Sequence, residues 1–112
     1  MSRKDRVEAL VKQEIAHIVQ TKLSNNTKIG FITILRVELS NDLANAKIFY
    51  SQIGSDLEKK QTRKALMNST KFVKFELGKA LRLKIIPNIR FVFDEALEKA
   101  FNVINKLNKL HE

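Results

Sequence analysis

From Asp56 to Lys84 the chain runs 29 residues without a proline and with a single glycine, Gly78. A helix of that length would extend about 43 Å. It sits between runs that alternate like strands, so it must connect a hairpin on one side to a third strand on the other. A domain of 112 residues has an expected radius of gyration near ~13 Å, and one straight rod would project well beyond its core. The length therefore predicts two helices meeting at a bend. "NST" at 68–70 is the natural break, because Asn, Ser and Thr side chains compete for nearby backbone groups. Against a break, Leu66, Val73 and Leu77 are spaced to continue one apolar stripe through it.

The flanks supply the other elements. Residues 3–23 repeat with helical period, placing Val7, Leu10, Val11, Ile15, Ile18 and Val19 on one stripe. "SNNTKIG" (24–30) carries the Asn and Gly turn chemistry that ends this helix. "FITILRVELS" (31–40) alternates, with Thr33, Leu35, Val37 and Leu39 on one face and Arg36, Glu38 and Ser40 on the other. After the short polar turn "ND", residues 43–52 return as a second strand with Ala44, Ala46, Ile48 and Tyr50 facing one way. Ser55 or Asp56 is available to cap the long helical stretch. Pro87 stops helix and forces extended backbone before it. In "NIRFVFD" (88–94), Ile89, Phe91 and Phe93 share a face. A last helix is expected from Asp94 and Glu95 onward, lined by Leu97, Ala100, Phe101, Ile104 and Leu107, with Lys106 and Lys109 near its C-terminus. The expected architecture is one α+β domain over residues 1–112: three strands with helices packed on one face.

Several chemistries are poorly served. Without cysteine there is no disulfide, thiolate nucleophile or zinc–sulfur site. His17 and His111 have no nucleophile or carboxylate at a useful spacing. Glu95 and Glu98 are accounted for by the positive end of a helix. Glycines at 30, 54 and 78 are too far apart to form a phosphate loop. Neither catalysis nor a cofactor or metal is expected. No apolar run approaches the ~20 residues of a membrane span, and "MSRKDRVEAL" lacks the apolar core of a signal peptide. The expected location is cytoplasmic, and "NNT" (25–27) and "NST" (68–70) read as chance glycosylation patterns.

Charge is the informative property. Residues 59–90 contain ten basic side chains and one acid, Glu76, so this segment alone carries the net +9 of the whole chain. Such concentration marks a surface for a polyanion. Placed at 100° per residue, Lys71, Lys74, Lys79 and Arg82 fall within an arc of about 140°, opposite Val73, Leu77, Ala80 and Leu83. The acids that usually intersperse a solvated face are nearly absent. Phe75, within the basic arc, suits either of two roles, a platform for an unpaired base or a core residue.

"RVEALVKQEIAHIVQ" (6–20), "VELSNDLANAKIFYS" (37–51) and "FVKFELGKALRLKIIPNIRFVFDEAL" (72–97) together resemble the bacterial ribosome-binding factor A family over nearly the whole chain. The hairpin with Ser40, Asp42, Leu43, Ala44, Ala46 and Lys47, and the block from Gly78 to Phe93, carry most of the likeness. The resemblance implies a KH-like domain of the bacterial type and a non-catalytic factor; separately, a monomer is expected. It would bind the small ribosomal subunit and its RNA during late maturation and ribosomal RNA processing, often important in the cold. It also implies that the bent helix pair faces RNA. The family usually bends there with Ala-X-Gly, where this chain has Ser69, Thr70 and Lys71. The charged C-terminal extension that many members carry is not expected here. The positions expected to meet phosphates are then Lys64, Lys71, Lys74, Lys79, Arg82 and Lys84, with Ser69, Thr70 and Lys71 shaping the bend. Two rivals fit the same basic face: a KH-like binder of single-stranded RNA away from the ribosome, and an adaptor docking an acidic protein.

Overall fold

The structure, a computed structural model, describes residues 2–96. The expected last helix lies outside these residues from Leu97 onward, as do Glu98 and His111. Five elements follow in order: α1 (Arg3–Thr21), β1 (Ile32–Leu39), β2 (Asn45–Gln52), α2 (Asp56–Ala80) and β3 (Asn88–Phe93). This is the helix–strand–strand–helix–helix–strand order of the KH-like expectation with one helix in place of the bent pair. Both helices are opened by a serine in a capping box, Ser2 with Asp5 for α1 and Ser55 with Glu58 for α2. In each, the hydroxyl accepts the third backbone N–H while the acid accepts the cap's own N–H.

The sheet runs β1-β2-β3, with β1 antiparallel and β3 parallel to the central β2. Parallel neighbours need a crossover, and α2 supplies it. Val11, Ile15 and Ile18 of α1 pack with Leu66, Val73 and Leu77 of α2 on the inward residues Val37, Leu39, Ala46, Ile48, Tyr50 and Ile89. The β2 and β3 faces are the ones expected from alternation. In α1, Leu10 is half exposed despite falling on the expected stripe.

Three expectations are corrected. First, α2 is not divided at 68–70: it runs 25 residues without interruption. The Ser69 hydroxyl donates to the Ala65 carbonyl (2.8 Å) and that of Thr70 to the Met67 carbonyl (3.1 Å), so both turn back into the helix instead of capping a new one. Val73 and Leu77, fully buried, continue the stripe of Leu66 across the site. Ser69, Thr70 and Lys71 are therefore mid-helix residues, with no loop between them.

Second, the helix stops at Ala80, four residues before Lys84. Leu81 is already extended (φ −115°, ψ 134°). Residues 81–84 have period two: Leu81 and Leu83 pack against the core while Arg82 and Lys84 point out. Two leucines two residues apart both reach the core from extended backbone, whereas a helix would put them on different sides. The shortened helix is about 38 Å long.

Third, β1 contains a bulge between Ile34 and Arg36. One extra residue on one strand reverses which side faces inward. Ile32 and Ile34 pack on the core, and Thr33 is exposed, opposite to the simple alternation read from the sequence.

The connection from β1 to β2 is held by side chains. The Ser40 hydroxyl donates to Asp42 Oδ1 (2.6 Å), the Ala44 N–H donates to the same oxygen (3.1 Å), and the Asn45 N–H donates to Ser40 Oγ (3.0 Å). Leu43 has a left-handed backbone (φ +62°), a strained state for a non-glycine residue. Its N–H bonds the Ser40 carbonyl and its side chain packs on the core, which together hold it there.

Candidate nucleic-acid interface

The buried stripe of α2, Thr62, Ala65, Leu66, Val73 and Leu77, fixes which side of the helix meets solvent. At 100° per residue, Lys64, Lys71, Lys74, Gly78 and Lys79 fall in one arc of about 140°. Lys64 and Lys71 are two turns apart, about 10 Å along the axis. The face holds four of the six cations singled out by sequence. Arg82 and Lys84 are not on it, since the helix ends before them; they leave the exposed side of the loop that follows.

The pairing of these cations differs. Lys79 Nζ lies 3.5 Å from Glu76 Oε1, one helical turn away, and 5.2 Å from the centre of the Phe75 ring. Lys74 donates to Asn88 Oδ1 at 2.8 Å, tying the last third of α2 to the first residue of β3. Lys64, Lys71, Arg82 and Lys84 are exposed and have neither carboxylate nor hydrogen-bond partner among the described residues. Unneutralised cations along a helix repel one another, so the arrangement carries a cost in the free protein that an anionic partner would relieve.

Apolar groups are interleaved with this charge. Phe75 is 62% exposed, which decides between its two readings in favour of a surface ring, and Phe72 and Met67 are also exposed. Lys71, Lys74, Phe75, Gly78, Lys79 and Ile86 line a shallow groove of about 520 Å³. Ile86 was not among the sequence candidates. The signal was the apolar pair Ile85–Ile86 before Pro87, which had no assigned cover. A second groove, of about 550 Å³, lies between α2 and β3, bounded by Tyr50, Arg63, Met67, Thr70, Phe91 and Phe93. Burial raises the pKa of the Tyr50 hydroxyl, against the pull of the neighbouring Arg63 charge.

The remaining sequence candidates stay apart from any site. His17 lies exposed on α1, and no group of three His, Cys, Asp or Glu side chains gathers to hold a metal among the described residues. No helix among the described residues is long and apolar enough to cross a membrane.

Comparison with known proteins gives a consistent picture. The profile of the family described as ribosome-binding factor A matches residues 3–107. The ribosome-binding factor A of Staphylococcus epidermidis is 42% identical over 110 residues, covering 98% of this chain and 94% of that protein. That of Dictyoglomus thermophilum is 38% identical over 108 residues, covering 96% and 90%. Among solved structures, a Thermotoga maritima protein described as a ribosome binding factor A superposes with a TM-score of 0.71 at 32% identity, covering 84% of this chain and 89% of that one. The Thermus thermophilus ribosome-binding factor A superposes at 0.70 and 19% identity, covering 81% and 96%.

Proposed function

This chain belongs to the ribosome-binding factor A family, and on that premise we propose that it is a non-catalytic assembly factor that holds RNA of the small ribosomal subunit on the outer side of α2. Lys64 and Lys71, with Lys74 and Lys79 beside them, meet phosphates along the helix. Arg82 and Lys84 extend the contact onto the following loop, and the factor works in the cytoplasm. Phosphate contacts of this kind give affinity and register without reading sequence. The observation that carries the reading is the exposure of four cations, Lys64, Lys71, Arg82 and Lys84, with no neutralising partner among the described residues.

A long unbroken helix suits this task. It offers cations at a rise of about 1.5 Å per residue along a surface whose inner side is locked into the core. The hydrogen bond from Lys74 to Asn88 fixes the helix against β3 near the loop that bears Arg82 and Lys84. RNA would thus meet a rigid array, with little ordering cost on binding.

Fractionation of cell extract on a sucrose gradient tests this reading. The protein should travel with free small subunits. A variant carrying Lys71→Glu, Lys74→Glu and Arg82→Glu should remain at the top of the gradient with its circular dichroism unchanged. Unaltered migration of that variant would rule the interface out, and a parent protein that stays with no ribosomal particle would rule out the assignment.

A further inference from the structure

Cations account for attraction to a polyanion, but they do not account for the apolar groove set among them. Its components are unusual for a solvated helix. Phe75 presents most of its ring to solvent in the last three turns of α2, with the ammonium of Lys79 held 5.2 Å from the ring centre. Ile86, from the loop before β3, lies against Gly78. Lys71 and Lys74 complete the rim of this shallow, open groove of about 520 Å³.

Gly78 is the telling residue. Its backbone is ordinary right-handed helix, because no glycine among the described residues has a positive φ. A Cβ added there would meet Ile86 side-chain carbons at 3.5–3.8 Å, which is normal van der Waals contact. Alanine would therefore fit, and it would favour the helix more. Folding gives no reason for glycine at this position. What its missing side chain does provide is an open groove beside the Phe75 ring.

We propose that this groove receives one unpaired RNA base, stacked on Phe75, while Lys71, Lys74 and Lys79 hold the flanking phosphates. The proposal rests on the RNA-binding reading above and adds the state of the RNA: single-stranded at the point of contact. A paired base already spends both its faces on neighbours and cannot reach the ring, whereas an unpaired one stacks readily on an exposed aromatic side chain. Three ammonium groups on the rim argue for a phosphate-bearing occupant over an apolar peptide.

Two variants separate base stacking from charge. Phe75→Ala removes the ring from an exposed position, and Gly78→Gln fills the groove with a good helix former. Both keep every cation. Binding is followed with a short single-stranded RNA carrying one fluorescent purine analogue, whose emission falls on stacking, and with a duplex RNA of equal phosphate number. Phe75→Ala should weaken the single strand at least about fivefold and abolish the emission change. Phe75→Trp should restore both. Gly78→Gln should weaken the single strand while its urea midpoint stays equal or rises. Duplex affinity should not move in any of them. Equal losses for single strand and duplex, or no loss for either, would overturn the base site. If Lys71→Glu with Lys74→Glu still releases the small subunit in that case, the electrostatic interface stands without it. If those charge reversals also change nothing, both readings fall.

Discussion

The buried stripe that orients α2, and with it the direction in which its lysines point, includes one buried hydroxyl near the start of the helix. Thr62 Oγ1 accepts the Gly30 N–H (2.9 Å) from the loop before β1 and the Gln52 Nε2 amide (2.9 Å) from the end of β2. Thr62 is wholly buried and Gln52 nearly so, and Gln52 Oε1 has no partner among the described residues. Thr62→Val keeps the shape and removes the acceptor, leaving two donors without partners. Each costs roughly 1–3 kcal/mol when buried. Since Gly30 is only partly buried, we expect a loss of about 2–4 kcal/mol, a large fraction of the ~5–15 kcal/mol that stabilises a domain. In urea, with a slope of about 1–3 kcal/mol per molar, the midpoint of the 222 nm transition should drop by about 1 M or more at unchanged slope. Thr62→Ser should lose much less. Adding Gln52→Leu to Thr62→Val should recover part of the loss, because removing both partners of a hydrogen bond is far milder than removing one. A Thr62→Val midpoint within error of the parent would refute the reasoning, as would a double variant weaker than the single.

Gly30→Ala should be destabilising by a comparable amount in the same assay, because its Cβ would collide with the Gln52 amide, which is itself held in place. Ser69→Ala and Thr70→Ala should leave helix content by circular dichroism equal or slightly higher, since in α2 these hydroxyls only bond back to their own helix; a marked fall would show that they form a junction. Asp42 is held below the usual carboxylate pKa chiefly by the Ser40 hydroxyl and then by the Ala44 N–H, and Asp94 chiefly by the Ala96 N–H and then by Arg36. Lowered folded pKa values mean that this support is fully present above the unfolded carboxylate pKa of about 4 and disappears as pH falls through the lower folded values. Urea midpoints should hold flat from neutral pH to about pH 5 and fall below about pH 4, with Asp42→Asn and Asp94→Asn flattening that fall.

The sequence was most legible where one periodicity ruled a whole element. The inward faces of β2 and β3, the stripe of α1 from Val11 to Ile18, and the serine cap at Ser55 are as the pattern implied. It was misleading where two local rules competed. At 68–70 the capping preference of Ser69 and Thr70 pointed to a break, but the burial of Leu66, Val73 and Leu77 on one stripe prevailed. At 81–84 a helical wheel grouped Arg82 with the lysines, although the alternation of Leu81 and Leu83 was a strand-like signal in the same four residues. In β1 the bulge after Ile34 depends on pairing with β2, which the residues of one strand do not encode. Of the site, the cations were plain from composition. The groove beside Gly78 was not, because Ile86 comes from the loop after α2 and meets Gly78 only once the chain has turned back beyond Ala80.

The most direct test of the interface is the salt dependence of binding to purified small subunits. Six phosphate contacts, from Lys64, Lys71, Lys74 and Lys79 on α2 and Arg82 and Lys84 on the loop, each contributing roughly 0.7–0.9, give a slope of log affinity against log salt of about −5. Lys71→Gln with Lys74→Gln should bring that slope to about −3. A parent slope near zero, or a slope that these two substitutions leave untouched, would contradict the placement of RNA on α2.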